Sequence, residues 1–161
     1  MTGPNETDHP DVWTFPPVLA IAALAIAIVL EFLAPLAFLP EAALSGWQVY
    51  AGALLILFGL LLAGWAIWTF NRAGTNVSPF KPSLELATEG PYRFSRNPIY
   101  IWFLLALAGV SLIFSLEWGL ILIPALMLAL EYVIIRKEEV YLEAKFGDTY
   151  RDFKKRTRRW L

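Results

Sequence analysis

The sequence predicts an all-α membrane protein of about four transmembrane helices, followed by a C-terminal amphipathic helix at the membrane interface. Three observations predict it. The 161 residues are 58% hydrophobic and only 17% charged, against roughly 45–50% and 25% in ordinary soluble domains. Apolar runs of crossing length recur, given that about 20 residues at ~1.5 Å each span ~30 Å of hydrocarbon. The basic residues are confined to two stretches between and after those runs. A water-soluble bundle of this length lacks the polar surface to cover so much apolar side chain.

The first run, Val18 to Leu39, is interrupted by Glu31 and Pro35. Gly46 to Phe70 carries no formal charge over 25 residues and is the clearest span. Ile99 to Leu116 and Trp118 to Ile135 are 18 residues each and are separated only by Glu117. That pair reads as a tight helical hairpin turning at Ser115, Glu117 and Gly119. Trp13, Trp47, Trp65, Trp68 and Trp118 fall mostly near span ends, where interfacial tryptophans sit.

Met1 to Phe70 contains no Lys or Arg, whereas Asn71 to Pro98 holds four and Arg136 to Leu161 holds nine. With four spans these two stretches share a face, and the positive-inside rule makes it cytosolic. The N-terminal segment then lies on the same side. No basic region precedes the first apolar run, so no signal peptide is expected. The chain divides into a leading part, residues 1–70, with the first hairpin, and residues 71–161, with the polar loop, second hairpin and final helix.

Thirteen basic against fourteen acidic residues give no electrostatic footprint for nucleic acid. With no cysteine and His9 as the only histidine, thiolate or His-based metal sites and Cys nucleophiles are excluded, and a catalytic triad is disfavoured. Any chemistry rests on Glu, Arg, Asn, Tyr and backbone groups.

Those groups concentrate in two strips. Ala73 to Tyr100 contains Pro79, Pro82, Pro91 and Pro98, which oppose a continuous helix, and a connection of this length is usually functional. In Arg136 to Leu161, the apolar residues Leu142, Phe146, Tyr150 and Phe153 fall on one helical face. The remaining surface is largely basic, as in a membrane-surface helix. Glu138 and Glu139 open this segment on the face of Arg93 and Arg96, where a structural ion pair is the alternative to a site. Glu131, seven residues before Glu138, lies about two helical turns away on the same side. Glu131 and Glu31 are ionisable groups inside apolar runs and are candidates for function by that fact alone.

Three motifs in order carry a resemblance: AGTNVSP at Ala73 to Pro79, GPYRFSRNPIY at Gly90 to Tyr100, and EEVYLEAKFGDTY at Glu138 to Tyr150. Together they resemble the membrane methyltransferases of the isoprenylcysteine carboxyl methyltransferase and phospholipid methyltransferase superfamily, in its bacterial type. The resemblance implies S-adenosylmethionine as cofactor and an inner-membrane protein with the cofactor site and C-terminal segment in the cytosol. It implies that Tyr92 and Asn97, Pro98, Ile99 and Tyr100 line the cofactor, with Gly90 opening the motif. By the same resemblance, Glu138 would close the pocket, and the backbone at Leu86 and Ala87 would reach the adenosine. Three positions depart from the family: Asn97 where the eukaryotic isoprenylcysteine enzymes have His, Trp102 where Gly is frequent, and Ile134 where that branch carries Arg.

The chemistry of such a cofactor agrees with these residues. Arg93 or Arg96 offers a fork for its carboxylate, Tyr92 and Tyr100 offer π faces for adenine or sulfonium, and Glu138 or Glu139 accepts from ribose or ammonium groups. Glu138, Glu139 and Arg96 are the candidates for catalytic roles, and Glu131, Glu138 or Glu139 would serve as base for a protonated amine. The expected acceptor is lipophilic or a small molecule, at a site touching membrane lipids, and no oligomeric state is specified by the pattern. Two other readings compete: an NADPH-binding reductase of the membrane sterol reductase type, which shares part of the motif, and a non-catalytic membrane scaffold.

Overall fold

The computed structural model describes residues 9–10, 14–40, 46–76 and 81–161. Trp13 and Pro79 lie outside the described residues, as does the end of the AGTNVSP motif. Among the described residues, six α-helices follow one another: α1 (Pro16–Leu33), α2 (Trp47–Ala73), α3 (Pro98–Phe114), α4 (Glu117–Ile121), α5 (Ile123–Leu130) and α6 (Arg136–Arg156). A 3₁₀ turn (Gly90–Arg93) precedes α3, and a π-helical turn (Glu131–Ile135) joins α5 to α6.

Two of the four expected spans reach crossing length. α1 has 18 residues at mean hydropathy 2.3 and α2 has 27 at 2.2. α1 stops at Leu33, short of the expected Leu39, because the residue before Pro35 is driven out of helical geometry. α3 ends at 17 residues, and the fourth apolar run is divided among α4, α5 and the π turn. Only 11% of the α1 window and 22% of the α2 window are buried. A core helix in water would bury most of its apolar face, whereas Ile21, Phe32, Leu54 and Leu61 stand exposed. That surface suits hydrocarbon as solvent.

Close packing in such a solvent depends on small residues that let backbones approach. A Cβ placed on Gly52 would meet the Gly109 carbonyl oxygen at 2.5 Å, and one on Gly109 would meet the Gly52 oxygen at 2.6 Å. Further along, Gly59 receives the Trp102 ring. The departure at Trp102 is thus a contact between α2 and α3, matched by a glycine opposite it. Ile134 is fully buried in the apolar cluster of Tyr100, Leu107, Leu126, Leu130 and Ile135.

The far end of the bundle carries the expected turn. Ser115 adopts a left-handed φ of 50°, and the Leu116 N–H returns to the Ser111 carbonyl at 2.8 Å. Glu117 and Gly119 belong to α4. Glu117 is buried and accepts from the Leu39 N–H at 3.1 Å, while Glu31 accepts from the backbone N–H groups of Leu36 and Trp118 at 3.3 and 3.4 Å. The carboxylate inside the first apolar run therefore caps the turn at that run's end.

α6 bends at Gly147, whose φ of 52° and ψ of −124° lie outside helical space. An added Cβ there would meet no atom within 4 Å, so backbone conformation rather than room calls for glycine. The bend brings Tyr150 and Phe153 into a cluster with Ala66, Ala87 and Tyr92, with Leu142 and Phe146 against it. The spacing of the four apolar residues holds, but they line a kinked helix that packs on α2 and the loop.

Candidate active site at the meeting of two polar strips

Gly74 ends α2 in the left-handed conformation, φ 71°, and the two polar residues after it fasten the loop. Thr75 Oγ1 accepts from the Leu84 and Glu85 N–H groups at 3.0 and 3.2 Å, and Asn76 Nδ2 donates to the Pro82 carbonyl at 2.7 Å. From the other side, the Tyr141 hydroxyl accepts from the Ser83 N–H at 3.1 Å. These bonds let the irregular stretch of residues 81–89 run beneath α6, and they place Leu86 and Ala87 against Tyr92. Pro91 and Pro98 interrupt helical hydrogen bonding, and Phe70 meets the Tyr92 ring edge-on at 4.9 Å.

The two strips enclose a cavity of about 410 Å³, within the range of small-molecule and cofactor sites. Leu86, Ala87, Tyr92, Arg96, Asn97, Pro98, Ile99, Tyr100, Glu138 and Glu139 all line it. Gly90 and Arg93 are not among its lining residues. Gly90 turns with φ 58° against Trp65 and Thr69 and borders a neighbouring groove at the end of α2, and Arg93 is exposed. Several lining residues escaped the sequence reading: Phe15, Pro16 and Pro17 before and at the start of α1, Phe103 of α3, and Lys81 and Glu85 of the loop. The Pro-Pro start of α1 held a detectable helix-start signal, whereas nothing in the pattern of Phe103 separates it from any lipid-facing phenylalanine.

The adjacent glutamates of α6 have opposite surroundings. Glu138 Oε1 accepts from the Tyr100 hydroxyl at 2.7 Å. Burial raises its pKa to about 7, the Tyr100 bond partly offsets this, and the Glu139 charge adds to it. Burial, with Glu138 nearby, also pushes the Tyr92 phenol up, so it stays protonated and can donate. Glu139 is held by two arginines: Arg159 reaches both of its oxygens, at 3.0 and 2.7 Å, and Arg96 lies at 3.1 Å. Arg96 is nine-tenths buried, and its Nε has no partner among the described residues.

Glu131 does not join Glu138 at the cavity. It accepts from Arg136 and Arg159 at 3.1 and 2.6 Å and from the Trp160 indole at 3.2 Å. The π turn between them is the cause. One extra residue in a turn rotates the remainder of the helix about its axis, so Glu131 aligns with Glu139 and shares Arg159 with it.

The geometry fits a zwitterionic, aromatic ligand. Arg96 and Lys81 supply positive charge for a carboxylate, Glu85 and Glu138 supply acceptors for hydroxyl or ammonium groups, and Tyr92 and Tyr100 supply ring faces.

Comparison with known proteins bears on the family of the chain. The family model described as phospholipid methyltransferase matches residues 47–149, more than half of the chain. The chain is 30% identical over 137 residues to Protein-S-isoprenylcysteine O-methyltransferase B of Arabidopsis thaliana, across 83% of this chain and 70% of that one. It is 48% identical over 48 residues to an uncharacterized protein of Haemophilus influenzae, across 29% of this chain and 71% of that one. No solved structure matches. The matched stretch begins with α2 and takes in the loop, the motif before α3, the second hairpin and most of α6, and on that ground the chain belongs to the phospholipid methyltransferase family of membrane methyltransferases.

Proposed function

We propose that the protein binds S-adenosylmethionine in the cavity between the two polar strips and transfers its methyl group to a lipophilic acceptor at the membrane surface. The observation that carries this reading is the convergence of Tyr92, Arg96, Asn97, Tyr100 and Glu138, from segments about 40 residues apart, on one cavity. Arg96 would hold the cofactor's carboxylate, with Lys81 adding charge. Glu138 would accept from ribose or ammonium groups, the Tyr92 and Tyr100 rings would face adenine or sulfonium, and the backbone at Leu86 and Ala87 would reach the adenosine. When bound, the cofactor supplies an electrophilic methyl group on a sulfonium.

The chain's own work is alignment and exclusion of water. In-line displacement at carbon gains most from holding donor and acceptor in register. Phe15, Pro16, Phe103 and Ile135 give the cavity an apolar side, suited to the non-reacting part of a lipophilic acceptor. A carboxylate acceptor needs no base. A protonated amine does, and Glu138 is the carboxylate suited to take its proton, since its raised pKa keeps it exchanging protons near neutrality. Glu139, engaged by two arginines, serves to hold Arg96. In this reading α3 and the α4–α5 run complete four crossings, and the basic loop and α6 face the cytosol of a bacterial inner membrane.

Incubating the purified protein in detergent with methyl-labelled S-adenosylmethionine and a total lipid extract, with water-soluble thiols and amines as parallel acceptors, tests the proposal. A labelled lipid found by mass spectrometry is the expected result. Absence of calorimetric binding to S-adenosylmethionine, with binding to NADPH instead, overturns it in favour of a reductase.

A further inference from the structure

Residues 157–161 lie beyond the stretch that the family model matches, and although they end the second polar strip, none of them is among the residues expected at the site. At Thr157 the chain leaves α6 in an extended conformation, φ −128° and ψ 133°, and runs back along the motif loop. The Arg96 N–H donates to the Arg158 carbonyl at 2.9 Å. Asn97 Nδ2 and Ser95 Oγ donate to the Arg159 carbonyl at 2.8 and 3.3 Å. The Arg159 guanidinium grips both oxygens of Glu139 and reaches Glu131 on the far side of the π turn. Trp160 packs against the apolar cluster around Ile134 and donates to the second Glu131 oxygen.

We propose that residues 157–161 form a strap that positions Arg96 in the cofactor-facing wall, with Arg159 as its fastening residue. The inference rests on the S-adenosylmethionine reading and deepens it. Glu139 is one carboxylate shared by two guanidinium groups. While Arg159 occupies both of its oxygens as a fork, Arg96 meets it through a single terminal nitrogen and keeps Nε without a protein partner. Without Arg159, both Glu139 oxygens are open to Arg96. Two opposite charges this close and this well buried would pair fully, and the guanidinium would be drawn out of the cavity wall that it lines. Arg159 is a positioning residue: it acts on the cofactor through Glu139 and Arg96. Asn97, whose side-chain amide donates to the strap, holds the same wall from the loop side.

The test is calorimetric titration of S-adenosylmethionine into the full chain in detergent, with melting followed by circular dichroism. Arg159→Met should weaken binding on the order of tenfold to a hundredfold, the range for one charged hydrogen bond. Arg159→Lys should also weaken it, because an ammonium does not reproduce the fork. Adding Glu139→Gln to Arg159→Met should restore affinity, since the group that captures Arg96 is then gone; a residue serving stability alone would give no such recovery. Arg156→Met, exposed on α6, is the control expected to bind as the parent does. Parent-like affinity in Arg159→Met, or a loss that Glu139→Gln leaves unrepaired, overturns the strap. If Arg159→Met fails to fold, Arg159→Lys with and without Glu139→Gln decides on the same terms. If the parent itself shows no binding, the cofactor reading falls instead.

Discussion

The two ends of the helical bundle hold the same costly residue types and put them to different uses. At the far end, Glu31, Gln48, Ser115, Glu117 and Trp118 bond to turn backbone and to one another. Gln48 reaches the Pro40 carbonyl at 2.8 Å and Ser115 Oγ at 3.1 Å, and the Trp118 indole donates to the Ala34 carbonyl at 2.8 Å. At the near end, Glu138, Arg96 and Tyr92 surround a cavity, and Arg96 Nε has no partner among the described residues. Polar groups in an apolar setting are satisfied either inside the fold or by something brought to it. The far end is largely the first case, with Ser111 Oγ the buried group left without a partner among the described residues, and reads as architecture. The near end is the second and reads as a site.

Both ends hang on the crossing of α2 and α3, so the largest expected effect removes the comparison altogether. Gly109→Leu would drive a side chain into the Gly52 carbonyl, and overpacking on this scale costs about 3 kcal/mol. Melting of the variant in detergent should show that loss together with loss of cofactor binding.

Glu138→Gln separates the ends. It should weaken S-adenosylmethionine binding on the order of tenfold to a hundredfold, as for a lost charged hydrogen bond, while leaving the fold intact. The pH dependence carries the sign. Glu138 titrates at about 7 in the folded protein against an ordinary 4.5, so the folded state binds the proton more tightly than the unfolded chain. The stability attached to this group is complete below pH 4.5 and is lost as pH rises through 7. Over the same window its carboxylate forms, and cofactor affinity should rise. In Glu138→Gln both trends should flatten, and the melting temperature at about pH 8, above the folded-state pKa, should exceed that of the parent. An affinity that rises through neutral pH in the variant as steeply as in the parent would remove Glu138 from the site.

Glu117→Gln should do the reverse at the far end. Weakening one buried acceptor costs about 1 kcal/mol of stability, and affinity for the cofactor should not change. The smallest effect belongs to Arg93→Met. This arginine is a motif residue by sequence but exposed and apart from the cavity lining, and affinity should stay within about twofold of the parent, as expected for an exposed charge. A tenfold loss would show that Arg93 swings inward to the ligand.

The pattern of residues by itself determined the helical class, the position of the longest span and the two strips that meet at the cavity. Hydrophobic run length and proline placement are local properties, and solvent transfer acts on them wherever the chain goes. Ten of the twelve residues named as cofactor-binding or catalytic line the cavity. Tertiary structure alone decided how the charges are shared. Glu138 and Glu139 are neighbours of one chemical type, and only the strap from Arg159 and the loop's Arg96 makes one a salt-bridged anchor and the other a carboxylate titrating near neutrality. Glu131 shows the same limit, since a helical count of seven puts it beside Glu138. One π turn shifts it to Glu139, and the regular helical spacing of the sequence does not announce that turn.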